Sequence, residues 1–378
     1  MLALKSSELE GIATSLTAVA GALQESNTDR LQSWQQLETM TSASSLIQGF
    51  IKLVDYNRPT VNIVEQMHKT ASTLFNTADF LRTLEGYVDV LEKQADKSIT
   101  LTVMLRYIAS LSSLLDLMCA REINALCTAI TPEPLKHLGD FGTLPASAIH
   151  EFHLVNAPPE IRALAEAHPD MQILEAGDGS LVASFGDIDK ATAVTTIVAG
   201  VGSSNPEGWN TYVDRARTVS ASTGSATVLW LGYQAPSSIP AAASGAAANR
   251  AASDLQGFQA ALQARNPNQR KVVMGYSYGS TVVGKAASSG ELSADALVLV
   301  GSPGAGVSHS SQLGAPVYAV TGSADPIGFA GTQYDGIHGT DPTSALFGAT
   351  VWDSSSSHSG YWNDQEFLGN VAEVVRGK

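Results

Sequence analysis

The pentapeptide Gly-Tyr-Ser-Tyr-Gly at residues 275–279 is the feature that most constrains how this chain can fold. The apolar run 271–274 precedes it, and residues 280–287 have the composition of a helix. A buried strand, a tight turn and a helix form a nucleophile elbow, in which the turn holds the serine in a strained backbone conformation. Because the chain has 33 glycines in 378 residues, a G-x-S-x-G motif can occur by chance. The surrounding sequence must therefore show whether this one is a nucleophile elbow.

Glycine and proline divide the chain into two parts. The first 130 residues contain four Gly and one Pro, whereas the remaining 248 contain 29 Gly and 14 Pro. In the first part apolar residues recur at helical spacing in about four segments, with a break at Pro59 and an end at Pro132 and Pro134. We therefore predict an all-α helical bundle domain over 1–145, antiparallel in arrangement, and a second domain over 146–378.

In the second part, short apolar runs alternate with helical segments. This alternation predicts an α/β fold with a mostly parallel central sheet and helices on both faces. A leading hairpin, strand–helix repeats and a serine turn after the fifth strand give the order of an α/β-hydrolase fold. The predicted strands span 172–175, 181–185, 195–201, 226–231, 271–274, 296–300, 317–321 and 350–353.

The strand order also predicts partners for Ser277, because in this fold an acid follows the seventh strand and a histidine follows the eighth. Asp325 follows the seventh predicted strand and would orient an imidazole and stabilise its charged form. His358 follows the eighth and would serve as general base. The competing residues are the acids Asp335, Asp341 and Asp353 and the histidines His309 and His338, of which His338 is the main rival.

An oxyanion hole requires two N–H donors. One is expected from Tyr278, the residue after the predicted nucleophile. The second is expected from the loop after the strand 195–201, where Val201 and Gly202 are both candidates.

The composition excludes several classes of partner. A net charge of −14 argues against nucleic-acid binding and against adsorption to anionic membranes. The sequence has no H-E-x-x-H motif, no Cys/His cluster and no Walker A loop, so we expect neither a metal nor a cofactor. Cys119 and Cys127 are too far apart on one helix for a disulfide, and we expect both thiols to be buried.

Neither a cleaved signal peptide nor a transmembrane segment is expected. Charged residues between positions 5 and 10 interrupt the apolar run that a signal peptide needs. The most apolar later stretch, 101–120, contains Arg106 and Asp116. We expect a protein that is cytoplasmic or exported without a cleaved signal.

Several motifs of the second part occur together: VAGVGSS at 198–204, VMGYSYGS at 273–280, LVGSPGAGV at 299–307, TGSADPI at 321–327 and HSGYW at 358–362. With them the second part resembles an uncharacterised α/β-hydrolase family of high-GC Gram-positive bacteria, named only as a domain of unknown function. The GYSYG elbow also resembles that of cutinases. The resemblance implies Ser277, Asp325 and His358 as a catalytic triad, and it implies no substrate.

The first part resembles helical modules that precede such hydrolases and are handled by the type VII secretion system. It departs from that pattern at Trp34, which Gln35-Gln36 follows instead of x-Gly. A bundle that contacts the hydrolase domain or forms a homodimer is the simpler expectation.

Together these features predict a serine hydrolase that cleaves small-molecule or lipid carboxylic esters through a Ser-His-Asp triad and an acyl-enzyme. The short connection 301–316 lacks the usual cap domain, which predicts an open site unless the bundle covers it. Neutral esters with apolar acyl groups fit this expectation. The alternatives are an acyltransferase or thioesterase with the same triad and a non-catalytic secretion or interaction module.

Overall fold

The computed structural model describes residues 4–40, 44–93, 99–128, 133–290, 292–329 and 336–378. The chain divides into two compact units, Met1–Pro134 and Leu135–Lys378. Each unit has its own core, and the two are described separately below.

Three long helices make up the described residues of the first unit: α1 (Ser6–Thr39), α2 (Ser44–Glu92) and α3 (Ile99–Thr128). The start of α1 is fixed to α2, because the backbone N–H and the hydroxyl of Ser6 both donate to the Glu85 carboxylate, at 2.9 and 2.5 Å. The core of this unit is small and rich in alanine, and it consists of Leu9, Ala13, Ala71, Leu74, Ala78, Leu81 and Cys119.

The predicted helix break at Pro59 is wrong, since α2 continues through this residue. Pro59 lies on the exposed side of α2, where a carbonyl that loses its N–H partner can bind water instead. Close by, the Asn57 side chain donates to the Asn27 side chain and holds α2 against α1. The described part of the first unit therefore has three long helices in place of the predicted four.

Helix α3 carries both cysteines, and one of them differs from the sequence expectation. Cys119 is buried as predicted, but Cys127 is exposed, because α3 ends one residue later. Its segment Leu101–Thr128 is also long and apolar enough to cross a membrane by length and composition, a test that core helices of soluble proteins pass too.

An eight-stranded sheet forms the centre of the second unit, in the order β1-β2-β4-β3-β5-β6-β7-β8. Strand β2 is antiparallel to both of its neighbours, and the remaining pairs are parallel. This arrangement confirms the predicted α/β-hydrolase fold. The strands are β1 (Met171–Gly177), β2 (Ser180–Phe185), β3 (Ala193–Val198), β4 (Ala226–Leu231), β5 (Arg270–Tyr276), β6 (Ala296–Val300), β7 (Val317–Val320) and β8 (Thr350–Trp352).

Helices cover the sheet, so that every residue of β3, β4 and β6 is buried. Helices α6 and α10 pack against each other, as do α8 and α9. The helices of this unit are α4 (Ala146–Asn156), α5 (Pro159–Ala167), α6 (Trp209–Thr223), α7 (Ile239–Ala242), α8 (Ala246–Arg265), α9 (Gly279–Ser288) and α10 (Gln365–Val375).

Residues 135–145 belong to the second unit, although the predicted boundary assigned them to the first. Leu138 and Phe141 are buried in a short 3-10 turn. The Arg265 guanidinium donates to the carbonyls of Gly142 and Leu144 at 2.8 and 2.5 Å and pairs with Asp189 at 2.6 Å. This arginine ties the segment to the end of α8, a long-range contact that composition does not reveal.

His153 is buried in α4 between the rings of Phe141 and Phe152, with centroid distances of 5.3 and 5.4 Å. Among the described residues, its Nε2 has no hydrogen-bond partner. Burial lowers the pKa of His153 to about 4, because the imidazolium form loses hydration there.

We expect acidification to destabilise the fold through His153. The folded-state pKa lies below the unfolded value near 6.5, so its neutral form is favoured by folding, and stability falls as the pH drops through 6.5 toward 4. Between pH 7 and pH 5 the loss from this group is about 2 kcal/mol. This loss of stability is measured by urea unfolding of the wild type and of His153→Phe at both pH values, with tryptophan fluorescence as the signal. Equal pH dependence in the two proteins would contradict the assignment.

Candidate active site

Ser277 lies in the turn between β5 and α9 and has a φ of 55°, the one positive φ at a non-glycine position in the described chain. Its N–H donates to the Val300 carbonyl at 2.9 Å, and its carbonyl accepts from Ser280 N–H at 2.9 Å. The Ser280 hydroxyl donates to the Gly275 carbonyl at 2.8 Å. These bonds hold the serine in a left-handed conformation that L-residues otherwise avoid.

The two glycines of the pentapeptide are required by close packing. A Cβ at Gly275 would lie 2.5 Å from the Ser280 Cα, and one at Gly279 would lie 2.1 Å from the Val198 carbonyl oxygen. Because β3, β5 and α9 approach this closely, side chains larger than hydrogen do not fit at these positions. The observed turn has the strand, conformation and glycine contacts that a nucleophile elbow requires.

Asp325 and His358 meet because β7 and β8 are adjacent parallel strands, and each residue follows the carboxyl end of one of them. The loops are joined where Ser323 N–H donates to the Ser354 carbonyl at 2.9 Å. His358 Nδ1 lies 3.0 and 2.9 Å from the two Asp325 carboxylate oxygens. Since a carboxylate accepts, Nδ1 carries the proton, and Nε2 is left as an acceptor.

Burial differs sharply within this pair. The Asp325 side chain is fully buried, whereas 32% of the His358 side chain is exposed. Gly301 adjoins both groups at a φ of 51°, and a Cβ there would lie 2.8 Å from Asp325 Oδ2 and 3.1 Å from His358 Nδ1. The glycine therefore leaves the space in which the carboxylate and the imidazole meet.

Tyr361 is a site residue that the sequence analysis missed. Its hydroxyl donates to Asp325 Oδ2 at 2.6 Å and accepts from Gly322 N–H at 2.9 Å. Burial raises the pKa of Tyr361, and the hydrogen bond to the Asp325 carboxylate raises it further, so the phenol stays a donor. Tyr361 is part of the HSGYW motif, but nothing in its spacing indicated that it would reach the acid.

Tyr276 contacts both the ring and the backbone of His358. The two rings stack with a centroid distance of 5.1 Å, and the Tyr276 hydroxyl donates to the His358 carbonyl at 2.8 Å. The imidazole is therefore held by a carboxylate at one edge and by an aromatic face.

A cavity of about 480 Å³ is lined by both Ser277 and His358. Among the described residues, no hydrogen bond joins the Ser277 hydroxyl to the His358 ring, a contact that often tightens only when substrate binds. Of the described lining residues, Arg215 is the one with a permanent charge. Most of the wall is apolar and includes Val201, Ile239, Pro303, Pro326, Ile327 and Ile337.

The two candidates for the second oxyanion donor, Val201 and Gly202, have different surroundings. The Gly202 N–H donates to the Pro236 carbonyl at 2.8 Å. Val201 lines the cavity, and Tyr278, the expected first donor, occupies the N-cap position of α9. The loop is braced by the Tyr233 hydroxyl, which donates to the Ala199 carbonyl at 2.8 Å.

The rival histidines have other partners. His338 Nε2 lies 2.7 Å from the Ala242 carbonyl, which can only accept, so this nitrogen carries a proton. The ring packs edge-on against Tyr278 at 5.5 Å and lines the cavity. His309 caps the short turn Ser310–Leu313.

Of the rival acids, the two that the structure describes, Asp341 and Asp353, are not hydrogen-bonded to His358. Asp341 accepts from the N–H and hydroxyl of Thr343, at 2.9 and 2.8 Å. Asp353 is exposed, and Asp335 lies outside the described residues. Within the described ranges, no group of three or more His, Cys, Asp or Glu side chains is placed to hold a metal ion.

Comparison with known proteins agrees with this fold. Residues 175–332 match a family model described as alpha/beta hydrolase. The uncharacterized protein Rv2079 of Mycobacterium tuberculosis is 29% identical over 251 residues, which cover 53% of this chain and 37% of that protein. An uncharacterized protein of Mycobacterium bovis is 38% identical over 91 residues, 24% of this chain and 34% of that protein. The chain thus spans about a third of the length of these relatives.

Among solved structures, XC6422 from Xanthomonas campestris, described as a serine hydrolase without a lid, matches at 18% identity with a TM-score of 0.35. That match covers 52% of this chain and 87% of the other. The esterase LipW from Mycobacterium marinum matches at 13% identity with a TM-score of 0.35, over 61% of this chain and 89% of that one.

We expect Gly279→Ala to destabilise the second unit by about 3 kcal/mol or more, because its Cβ would overlap the Val198 carbonyl and push α9 from β3. Gly257→Ala is the matched control, since no atom lies within 4 Å of a Cβ there, in the middle of α8. That change should stabilise by about 0.5–1 kcal/mol. Urea unfolding compares the two, and equal stability would contradict the packing argument.

Proposed function

We propose that this protein is a serine hydrolase that cleaves carboxylic esters, with Ser277 as nucleophile, His358 as general base and Asp325 as the acid that orients it. The observation that carries the proposal is the combination of a strained serine and a carboxylate-bonded histidine on one cavity. The alpha/beta hydrolase family match over residues 175–332 supports hydrolase chemistry.

In the proposed reaction, Ser277 Oγ attacks the ester carbonyl carbon while His358 Nε2 accepts the hydroxyl proton. The tetrahedral intermediate collapses with cleavage of the bond to the alcohol oxygen, which receives that proton from His358. A water molecule then attacks the acyl-enzyme, again losing a proton to His358. Release of the acid returns the proton to Ser277.

Asp325 stabilises the imidazolium that forms in both steps. Its carboxylate accepts from His358 Nδ1, from the Tyr361 hydroxyl and from Ile327 N–H at 2.9 Å. The fixed Nδ1 bond keeps Nε2 directed away from the acid and available to Ser277.

Backbone donors are proposed to stabilise the oxyanion. The Tyr278 N–H stands at the start of α9, where the partial positive charge of the helix favours negative charge. Val201 is proposed as the second donor, because the Gly202 N–H is already bonded to Pro236. Pairs of this kind act without reorganisation during the reaction.

The cavity supports a small ester with apolar parts. Its volume of about 480 Å³ is in the range of small-molecule sites, and most of its wall is apolar. Between β6 and β7 the chain forms only a short turn, Ser310–Leu313, so no cap domain is inserted there. Ile239 and Ile337 are exposed and line the cavity as well, which favours an apolar group at its mouth.

We expect the 378-residue chain to react with a fluorophosphonate probe and to hydrolyse p-nitrophenyl butyrate. Ser277→Ala should abolish labelling, and His358→Ala should lower kcat by about 10³-fold or more. His338→Ala is the matched histidine variant and should lower kcat by less than about 10-fold, since its Nε2 is bonded to Ala242.

Two outcomes would count against these assignments. Absence of labelling in the folded wild type would exclude a serine hydrolase. A larger loss of kcat in His338→Ala than in His358→Ala would transfer the role of base to His338.

We expect Tyr361→Phe to lower kcat by about 10-fold, because a hydrogen bond to the Asp325 carboxylate is lost. The KM for the same ester should change little, since Tyr361 is buried behind Asp325 and does not line the cavity. Tyr318→Phe, on β7, is the control that keeps the contacts of Asp325. A rise in KM with unchanged kcat would show that Tyr361 does not act through the acid.

A further inference from the structure

Arg215 extends from α6 to the cavity wall and lies among three aromatic rings. Its guanidinium carbon is 5.1 Å from the ring centre of Tyr212, 4.9 Å from that of Tyr276 and 5.4 Å from that of Trp362. Such cation–π contacts stabilise a guanidinium that has lost part of its water. The rings fix the charge in place without neutralising it.

No carboxylate pairs with Arg215 among the described residues. The contrast with the next arginine of the same helix is clear: Arg217 pairs with Asp170 at 2.8 Å and with Asp214 at 3.3 Å. The chain has 36 acidic residues against 22 Lys and Arg, so acidic partners are abundant. An arginine left without one on a cavity wall retains its capacity to bind an anion.

The position of Arg215 relates it to the proposed reaction. Tyr276, over which the guanidinium lies, directly precedes Ser277 and stacks on the His358 ring. Burial raises the pKa of the Tyr276 hydroxyl, and the nearby Arg215 guanidinium opposes this rise. The rest of the described wall is mostly apolar.

We propose that Arg215 is a specificity-determining residue that binds a carboxylate of the substrate, so that the preferred esters carry a negatively charged group on an otherwise apolar acyl chain. This inference rests on the proposed ester hydrolysis. A guanidinium binds a carboxylate through two parallel N–H···O bonds, and in an apolar cavity each bond is strengthened by the exclusion of water. The acyl chain then spans the apolar wall between Ser277 and Arg215.

A structural role is the competing explanation. The same cation–π contacts would hold α6 to β5 and to the turn Tyr361–Asn363 whatever the substrate is. Under that explanation, loss of Arg215 lowers stability and affects all esters alike. The two explanations therefore differ in how a variant discriminates between a charged ester and a neutral ester of equal shape.

The test compares p-nitrophenyl hydrogen glutarate with its neutral isostere, in which an isopropyl group replaces the carboxylate. The full-length wild type, Arg215→Met and Arg215→Lys are assayed, with Arg217→Met as the control on the same helix. We expect Arg215→Met to reduce kcat/KM for the glutarate ester about 10- to 100-fold more than for the isostere. The ratio of kcat/KM for the glutarate ester to kcat/KM for the isostere should be intermediate in Arg215→Lys. In Arg217→Met this ratio should equal that of the wild type.

If Arg215→Met lowers kcat/KM by the same factor for both esters, the ratio stays at its wild-type value and the proposal is overturned. If Arg215→Met does not fold, Arg215→Lys decides, because a lysine retains the charge but not the two-bond geometry. Calorimetry of the glutarate ester with Ser277→Ala, with and without Arg215→Lys, measures binding independently of turnover. Weaker binding in the double variant together with absent fluorophosphonate labelling of the wild type would retain the anion site and reject the hydrolase.

Discussion

The close approach of β3, β5 and α9 is the constraint on which the candidate site depends. It requires glycine at 275 and 279, and Ser277, midway between them, has a left-handed backbone conformation that L-residues otherwise avoid. The resulting turn places Ser277 at the carboxyl edge of the sheet and at the start of a helix. Strain at this residue is offset by the buried packing of the strands around it, because every residue of β3 and β6 is buried. The chemistry of the site is thus a consequence of sheet packing.

Asp325 is a second centre of organisation. Its buried carboxylate receives hydrogen bonds from His358 and Tyr361, which lie in the segment between β8 and α10, and from Ile327 N–H in its own loop after β7. Tyr361 in turn accepts from Gly322 N–H, so the loop after β7 and the turn before α10 are fixed to each other.

Asp364 extends this network, since it caps α10 and accepts from the hydroxyls of Ser354 and Ser356 in the loop that carries His358. The serine-rich loop is therefore ordered by hydrogen bonds to one carboxylate.

Sequence reasoning located the strands because buried parallel strands are continuous apolar runs, and β4 and β6 have the predicted bounds. The strand order also predicted that Asp325 and His358 lie at the same edge of the sheet, where the two side chains are hydrogen-bonded. Features that depend on individual long-range contacts were not predictable in this way. Tyr361 reaches Asp325 only through the geometry of a turn, and the Gly202 N–H is bonded to the carbonyl of Pro236, which is distant in sequence. Pro59 was misjudged because its tolerance depends on which side of α2 faces water.

The two walls of the cavity are built in different ways, and both are connected to the elbow. On one side, Arg215 lies over Tyr276, the residue before Ser277. On the other, the Tyr278 hydroxyl donates to the Ser244 carbonyl at 2.7 Å, and His338 Nε2 donates to the Ala242 carbonyl.

Tyr276 and Tyr278 flank Ser277 in sequence, so their side chains diverge from a backbone whose geometry is already fixed by glycine packing. A substrate that contacts either wall therefore presses on residues adjacent to the proposed nucleophile. We therefore expect substrate discrimination and the alignment of Ser277 to depend on the same few residues, in a site that has no inserted cap between β6 and β7.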